Sequence, residues 1–272
     1  MSLRTFCRFS FLNLSHGSKP AFRLATGQLS SAAKKRNLTS TSAMNSNIKT
    51  MTMKDKSTEW RNVLTPWLDF FKYEPLNSAV EGFQSENGKQ CLEGLLKDTL
   101  LFDDTPCVVA WDTDKDQAAG FIINQTFYKD PTPEQAKPPV PFANQNWDPE
   151  CLPQIMEVEK TMQSLSQKYD VFTDLGVKKI FKTQVMCVSP KYMKHGVAQM
   201  MGEEGFKVAL DAKYGYEAVV SECTSHYSYK ASLKFGFRLA YECDFSECYS
   251  SYDKMTNKST HQRARVMVYK IK

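Results

Sequence analysis

The stretch IFKTQVMCVSPKYMKHGVA, residues 180–198, decides the fold. Its first part ends in the unbroken apolar run Val185-Met186-Cys187-Val188, which Ser189-Pro190 stops. An all-apolar strand that feeds a helix is typical of a sheet covered on both faces. The stretch therefore predicts a buried strand over 180–188, a turn, and a helix over 197–213.

The turn Lys194-His195-Gly196-Val197-Ala198 has the chemistry of a phosphate site. A phosphate held without a metal needs several backbone N–H groups that converge at the start of a helix, beside side chains that leave room. Gly196 and Ala198 are small, while Lys194 and His195 add donors or positive charge. A turn of small residues is weak evidence by itself, so its context has to support it.

Outward from this unit, the patterning predicts one mixed α/β domain. Towards the amino terminus we expect a strand at 48–53, a helix at 58–73 ended by Pro75, a helix at 77–100 broken at Asn87-Gly88, a hairpin of strands 107–111 and 118–127, and a helix from Ile155 to Tyr169. Towards the carboxyl terminus we expect a strand at 218–223 parallel to the first, a helix at 225–235, and strands at 237–245 and 263–271.

Residues 129–153 hold seven of the twelve prolines, which predicts a long loop. A plain connector and a lid over a substrate site both fit such a segment. Eight cysteines show neither CxxC pairs nor matched histidine spacing, so we expect reduced thiols, no metal site and no disulfide framework.

The positive charge is concentrated at the amino terminus. The first 54 residues carry nine Lys and Arg but no Asp or Glu, so the remainder has 26 basic against 30 acidic side chains, which argues against a nucleic-acid partner. The segment has the composition of a mitochondrial transit peptide or of a disordered tail. We expect a disordered segment 1–47 and a domain 48–272, located in mitochondria if the segment is a transit peptide and in the cytoplasm otherwise.

No run of about eighteen apolar residues could span a membrane, so we expect a soluble protein without a membrane partner. We also expect a monomer.

Three segments carry a resemblance to a known family: FFKYEPLN at 70–77, YMKHGVA at 192–198, and TSHYS at 224–228 with KFGF at 234–237. In their order and separation the chain resembles the GNAT acetyltransferase superfamily, and within it the arylalkylamine N-acetyltransferases of the insect dopamine N-acetyltransferase type. The turn departs from the family pattern, because Met193 and Lys194 stand where Arg or Gln and more glycine are usual. The alternative interpretation of the chain is therefore a relative of these enzymes that has lost tight CoA binding.

The resemblance implies a single GNAT-like domain, with a mixed central sheet, a splayed parallel strand pair and helices on both faces. It implies acetyl-CoA as co-substrate and no metal. By position, the backbone of Met186, Cys187 and Val188 would bind the pantetheine arm. The pyrophosphate would lie on Lys194, His195, Gly196, Val197 and Ala198.

The resemblance also implies the catalytic residues. Glu74 matches the catalytic glutamate of the family and would act as the base, whereas without the motif we would expect a solvated glutamate at a helix end. Thr224 and Ser228 fall where the family carries two functional serines, and of the two we favour Ser228, because Thr224 or Ser225 can serve as a helix N-cap. Tyr227 and His226 are alternative proton donors.

The resemblance implies acetyl transfer, in a ternary complex, to a small arylalkylamine of the dopamine, serotonin, tyramine or octopamine class. The aromatic residues Phe70, Phe71 and Tyr73 precede Glu74 and could contact the ring or the ammonium of such an amine, or simply pack in the core. Two alternatives stay open: a GNAT enzyme acting on polyamines or protein lysines, and a non-catalytic acyl-CoA-binding protein.

Overall fold

The computed structural model describes residues 47–80, 82–101, 104–135 and 152–271, which belong to one compact unit. The predicted amino-terminal segment up to residue 46 and the predicted loop over 136–151 lie outside these ranges. Among the described helices, none combines the length and the apolar character that a membrane crossing requires.

The core is one seven-stranded sheet in the order β1-β2-β3-β4-β5-β7-β6. Within it β4 and β5 run parallel, and the other neighbouring strands are antiparallel. The mixed sheet, the hairpin and the parallel pair confirm the prediction. The strands are β1 Ile48–Thr52, β2 Val108–Asp112, β3 Gln117–Tyr128, β4 Lys179–Val188, β5 Ala218–Cys223, β6 Arg238–Asp244 and β7 Arg263–Lys270.

Helices cover both faces of the sheet, as predicted. Helices α2, α3 and α4 pack on one face, where Trp67 and Leu96 meet Phe121 and Ile123, and the short α1 lies against α3. Helices α6 and α7 pack on the other face, where Met201 meets Ile122. The helices are α1 Lys56–Glu59, α2 Leu64–Tyr73, α3 Glu86–Leu101, α4 Leu152–Lys168, α5 Val171–Leu175, α6 Val197–Leu210, α7 His226–Lys234 and α8 Phe245–Cys248.

The predicted helix break at Asn87-Gly88 is wrong, because α3 runs through both residues. The chain turns earlier, at Gly82 with φ 98°, and Ser85 Oγ accepts a 2.9 Å hydrogen bond from the Gly88 N–H. A Cβ at residue 88 would lie 2.0 Å from the Gly82 carbonyl oxygen, so glycine lets the first helical turn close onto this bend.

Helix α4 begins at Leu152, so the predicted loop ends slightly too late. Pro153 is compatible with this start, because the first turn of a helix does not use its N–H groups. The short helices α5 and α8 were not predicted from the sequence.

The described cysteines are mostly free thiols, with one exception. Cys91 is disulfide-bonded, so the expectation of reduced thiols is wrong there. Within the described ranges, no group of three His, Cys, Asp or Glu is arranged to hold a metal. The free thiols are Cys107, Cys187, Cys223, Cys243 and Cys248.

Two irregularities of β4 shape the centre of the sheet. The ladder between β4 and β5 covers four residue pairs, from Ile180↔Ala218 to Thr183↔Ser221, after which the strands part. In the ladder between β3 and β4, Thr183 pairs with Asn124 but Val185 pairs with Ile123. Gln184 is therefore the extra residue of a β-bulge, located where the parallel strands separate.

Candidate active site

Glu74 lies immediately after α2, in an extended conformation at the C-cap. Its N–H closes the helix on the Phe70 carbonyl at 2.9 Å, and Pro75 prevents the helix from continuing. Its Oε2 accepts a 2.8 Å hydrogen bond from the Asn77 N–H. The short segment after α2 thus folds back and holds the carboxylate in one orientation.

The other carboxylate oxygen of Glu74, Oε1, is buried and has no hydrogen-bond partner among the described residues. Burial raises the pKa of Glu74 above its ordinary value, while the hydroxyl of Thr224 and the N–H groups of Asn77 and Leu76 act against that shift. The carboxylate is therefore a stronger base than a solvated one, and the alternative of a solvated glutamate is wrong.

The structure gives Thr224 and Ser228 different surroundings. Thr224 contacts the carboxylate of Glu74. Ser228 Oγ donates to the Ser225 carbonyl at 2.9 Å, and its N–H donates to Ser225 Oγ at 3.0 Å. Ser225 is thus the N-cap of α7, which was one of the two predicted alternatives, and Thr224 rather than Ser228 is the neighbour of Glu74.

Polar side chains stand on both strands where β4 and β5 part. Gln184 and Glu222 are the first residues of the two strands beyond the last pair, and Glu222 lies two residues before Thr224. Carboxylate oxygens only accept, so a ligand suited to this place donates N–H groups. Four buried side-chain atoms have no partner in the described residues, and a fifth, Glu222 Oε2, lies 2.9 Å from the Lys182 ammonium; the four are Glu74 Oε1, Asn77 Oδ1, Gln184 Oε1 and Ser189 Oγ.

Beyond the bulge, some backbone groups of β4 face the gap that opens between β4 and β5. The Ser189 N–H bonds to the Ala119 carbonyl at 3.0 Å, and hydrogen-bonded pairs alternate along an antiparallel ladder. Cys187 therefore directs its backbone groups towards Phe121 of β3, and its thiol donates to the Pro66 carbonyl at 2.8 Å. Of the three predicted pantetheine contacts, Met186 and Val188 face the gap and Cys187 does not.

The turn before α6 has the open N–H groups of an anion site. No side chain caps α6, whereas Asp170 caps α5 and Ser225 caps α7. Gly196 takes the N-cap position at φ 79°, a backbone conformation that favours glycine. The neighbouring side chains of Lys194 and His195 are exposed, while Val197 is buried and Ala198 half-buried. The predicted turn therefore fits a pyrophosphate.

Two contacts fix the turn and its helix. The buried Tyr192 hydroxyl donates to Asp112 Oδ2 at 2.7 Å, and burial together with Asp112 raises the pKa of Tyr192 to about 12, so it stays a donor. Further along α6, a Cβ at Gly202 would lie 2.5 Å from the Phe235 ring. Glycine at this position lets the end of α7 pack directly against α6.

A shallow recess of about 400 Å³ lies at the start of α7. His226 lines it, but the other predicted site residues do not. Its arginines, Arg263 and Arg265, are already paired with Asp244 and Glu242. We therefore do not assign the chemistry to this recess.

The acceptor residues at the point where β4 and β5 separate, called the fork below, could not be predicted from the sequence. Gln184, Glu222 and Asn77 belong to ordinary-looking segments, and their convergence depends on the register of β4 against β3 and β5. The only available sequence signal was the polar interruption Lys182-Thr183-Gln184 inside an otherwise apolar strand.

Sheet order, bulge and splayed parallel strands together define the fold of the GNAT N-acetyltransferases. The chain is similar to arylalkylamine N-acetyltransferase 2 from Aedes aegypti, with a TM-score of 0.62 and 21% identity over 83% of this chain and 100% of that one. It is also similar to mosquito arylalkylamine N-acetyltransferase like 5b, with a TM-score of 0.62 and 17% identity over 82% and 100% of the two chains.

A third similar structure is the Drosophila melanogaster polyamine N-acetyltransferase, with a TM-score of 0.57 and 15% identity over 82% of this chain and 100% of that one. At such identities the likeness establishes the fold. No protein-family model matches the sequence, and no curated protein matches it at a significant level.

Proposed function

We propose that this protein is an acetyl-CoA-dependent N-acetyltransferase of small arylalkylamines. The observation that carries the proposal is the Glu74 carboxylate, which is buried, held on one oxygen by Asn77 and left open on the other. It is located beside Thr224, just past the fork of β4 and β5. A structural glutamate would have both oxygens satisfied, whereas a base needs one free.

The residues around the fork fit acetyl-CoA. The first N–H groups of α6, with Lys194 and His195, would hold the pyrophosphate, and the inner edge of β4 at Met186 and Val188 would hold the pantetheine arm. Acetyl-CoA supplies an acetyl group activated as a thioester. This arrangement requires no metal.

Glu74 would remove a proton from the acceptor amine. Alkylammonium groups lose their proton near pH 10, at about the value of lysine, so at neutral pH a base is needed before the nitrogen can attack. The neutral amine attacks the thioester carbon, and the C–S bond breaks as the N–C bond forms. Of the two protons that leave the nitrogen, the one taken by Glu74 before the attack passes to solvent, and the one lost after the attack goes to the departing thiolate to give free CoA thiol. The Thr224 hydroxyl is the nearest relay for the proton taken by Glu74.

The aromatic side chains before Glu74 support an acceptor with an aromatic ring. Phe71 is core, buried between Trp67 and Phe83 at centroid distances of 4.8 and 5.1 Å. Phe70 is half-buried and Tyr73 is 51% exposed, so both rings, which precede Glu74 in the chain, retain accessible surface. Such rings can stack on an aryl group and attract an ammonium.

A polyamine acceptor is the second candidate, because Glu222 adds a second buried carboxylate where β4 and β5 part, although Lys182 pairs with it. The Drosophila polyamine N-acetyltransferase, which shares the fold, catalyses the formation of N-acetylagmatine. Protein lysines would need the same base but a wider groove.

The test is thiol release from acetyl-CoA with a panel of tryptamine, tyramine, dopamine, putrescine and a lysine peptide. We expect turnover that favours the arylalkylamines. Thermal stabilisation by acetyl-CoA without turnover of any amine would instead identify an acyl-CoA-binding protein. If millimolar acetyl-CoA neither stabilises the protein nor is consumed, the proposal is refuted.

A further inference from the structure

An ion pair lies at the base of the fork, on the face that carries Glu74. Lys182 Nζ is 2.9 Å from Glu222 Oε2, and the two side chains are only 13% and 6% exposed. Glu222 Oε1 accepts a 2.9 Å hydrogen bond from the Ser166 hydroxyl of α4. Lys182 also lies 5.5 Å from the centre of the Phe127 ring.

The pair is close to the proposed base. Cys223 packs in the cluster beneath α6 and α7, so strand alternation places Glu222 and Thr224 together on the opposite face. Residues two apart on an extended strand are separated by about 6–7 Å. Since Thr224 contacts Glu74, Glu222 and the proposed base lie on the same face of the sheet, on either side of Thr224.

Both oxygens of the Glu222 carboxylate have a partner from the chain itself. The Lys182 ammonium lies 2.9 Å from Oε2, and the Ser166 hydroxyl donates to Oε1. A buried ion pair contributes little to stability compared with well-packed apolar residues, so fold stability alone is a poor reason for this one. An ammonium beside a carboxylate and an aromatic ring has the composition of an amine-binding site.

We propose that Lys182 determines which amines are accepted, by occupying with its own ammonium the carboxylate that would otherwise bind the second cation of a diamine. This inference rests on the proposed function. Lys182 already neutralises Glu222. An acceptor with one ammonium group can therefore bind at Glu74, whereas the second ammonium group of a diamine has no free carboxylate to bind. Lys182 is thus a specificity residue that favours monoamines over diamines.

The experiment compares kcat/KM for putrescine and tryptamine, at saturating acetyl-CoA, in the wild type and four variants. Lys182→Met removes the ammonium and frees Glu222. Lys182→Gln removes the charge but keeps a donor for the carboxylate, which protects folding if the Met variant is unstable. The double variant Lys182→Met/Glu222→Gln removes both charges, and Lys178→Met alters a nearby exposed lysine.

We expect the ratio of putrescine to tryptamine kcat/KM to rise at least about tenfold in Lys182→Met and Lys182→Gln, because a charged hydrogen-bond partner becomes available. The ratio should return to the wild-type value in the double variant and stay there in Lys178→Met.

If either Lys182 variant acetylates tryptamine with an unchanged ratio, or the wild type already prefers putrescine, the inference is overturned while the proposed function stands. If the wild type acetylates no amine, the proposed function and the inference that rests on it both fail.

Discussion

The backbone N–H of Asn77 donates a 2.8 Å hydrogen bond to Oε2 of Glu74, only three residues earlier in the chain. The intervening Leu76 carbonyl accepts a 2.9 Å bond from the buried Tyr249 hydroxyl, which ties the segment to the carboxyl-terminal half of the sheet. The side chain of Glu74 is therefore positioned by both local and distant contacts. An orientation fixed before substrate arrives is what a proton acceptor requires.

Glu74→Gln should lower kcat/KM for the best amine by at least about a hundredfold at neutral pH, because the amide cannot take a proton. The dissociation constant for acetyl-CoA, measured by calorimetry, should stay unchanged. Glu86→Gln, a change at a glutamate 85% exposed, serves as the control and should retain full turnover. Undiminished turnover in Glu74→Gln would remove this residue from its role.

The pH profile should show a limb set by Glu74. Burial raises the pKa of this carboxyl, so it takes up a proton at a higher pH than an ordinary glutamate and stops acting as a base there. We expect log kcat/KM to fall as the pH decreases through that raised value, and the limb to be absent from the residual activity of Glu74→Gln. A limb at the ordinary glutamate position would contradict the burial argument.

Thr224→Val should move that limb to higher pH. The Thr224 hydroxyl acts against the effect of burial on the pKa of Glu74, and its removal leaves burial less opposed. Ser228→Ala should leave the limb in place, because the Ser228 hydroxyl bonds to the Ser225 carbonyl. Both profiles need only steady-state rates across pH. The opposite outcome, with Ser228 moving the limb and Thr224 not, would restore the choice favoured by the sequence.

Gly196→Ala should weaken acetyl-CoA binding about tenfold, since a side chain at positive φ costs about 1–2 kcal/mol and displaces the first N–H groups of α6. Gly176→Ala is the matched control, because Gly176 also has a positive φ, 63°, but lies at the end of α5 and outside the turn. Both variants should lose similar stability on thermal unfolding. Equal dissociation constants in the two would show that the α6 turn does not hold the ligand.

Gly202→Ala and Gly205→Ala should change stability in opposite directions. A Cβ at 202 would press against the Phe235 ring at 2.5 Å, so we expect a loss of about 1–3 kcal/mol. At 205 the nearest atom would be 3.9 Å away, so the better helix propensity of alanine should add up to about 1 kcal/mol. Chemical denaturation measures both, and a neutral Gly202→Ala would mean that Phe235 moves freely.

Much of the fold could be predicted from local patterns. The apolar run of β4, its stop at Ser189-Pro190 and the following helix depend on neighbours in the chain, and they were placed within a few residues. The parallel partner β5 was placed at its observed bounds. The motifs brought Glu74 and Thr224 to one site although 150 residues separate them.

The remainder depended on contacts that no short stretch encodes. The break before α3 was misplaced because Gly88 resembles a helix breaker in the sequence. In the structure it is a helical residue whose missing side chain makes room for the Gly82 carbonyl oxygen. The bulge at Gln184 requires the register of β3, and the pairing of Lys182 with Glu222 requires that of β5. A hydrophobic pattern identifies which face is buried, but it does not say which polar residues meet there.

The separation of β4 from β5 has a consequence for self-association. Past Thr183, β4 has no hydrogen-bonded neighbour on the β5 side, although it lies in the middle of the sheet. Strands with unpaired backbone groups can pair with strands of other chains. Here α2 packs against one face of this part of β4 and α6 against the other. The unpaired backbone groups are therefore flanked by helices, and covering an open edge in this way is how folded proteins limit the addition of a strand from another molecule.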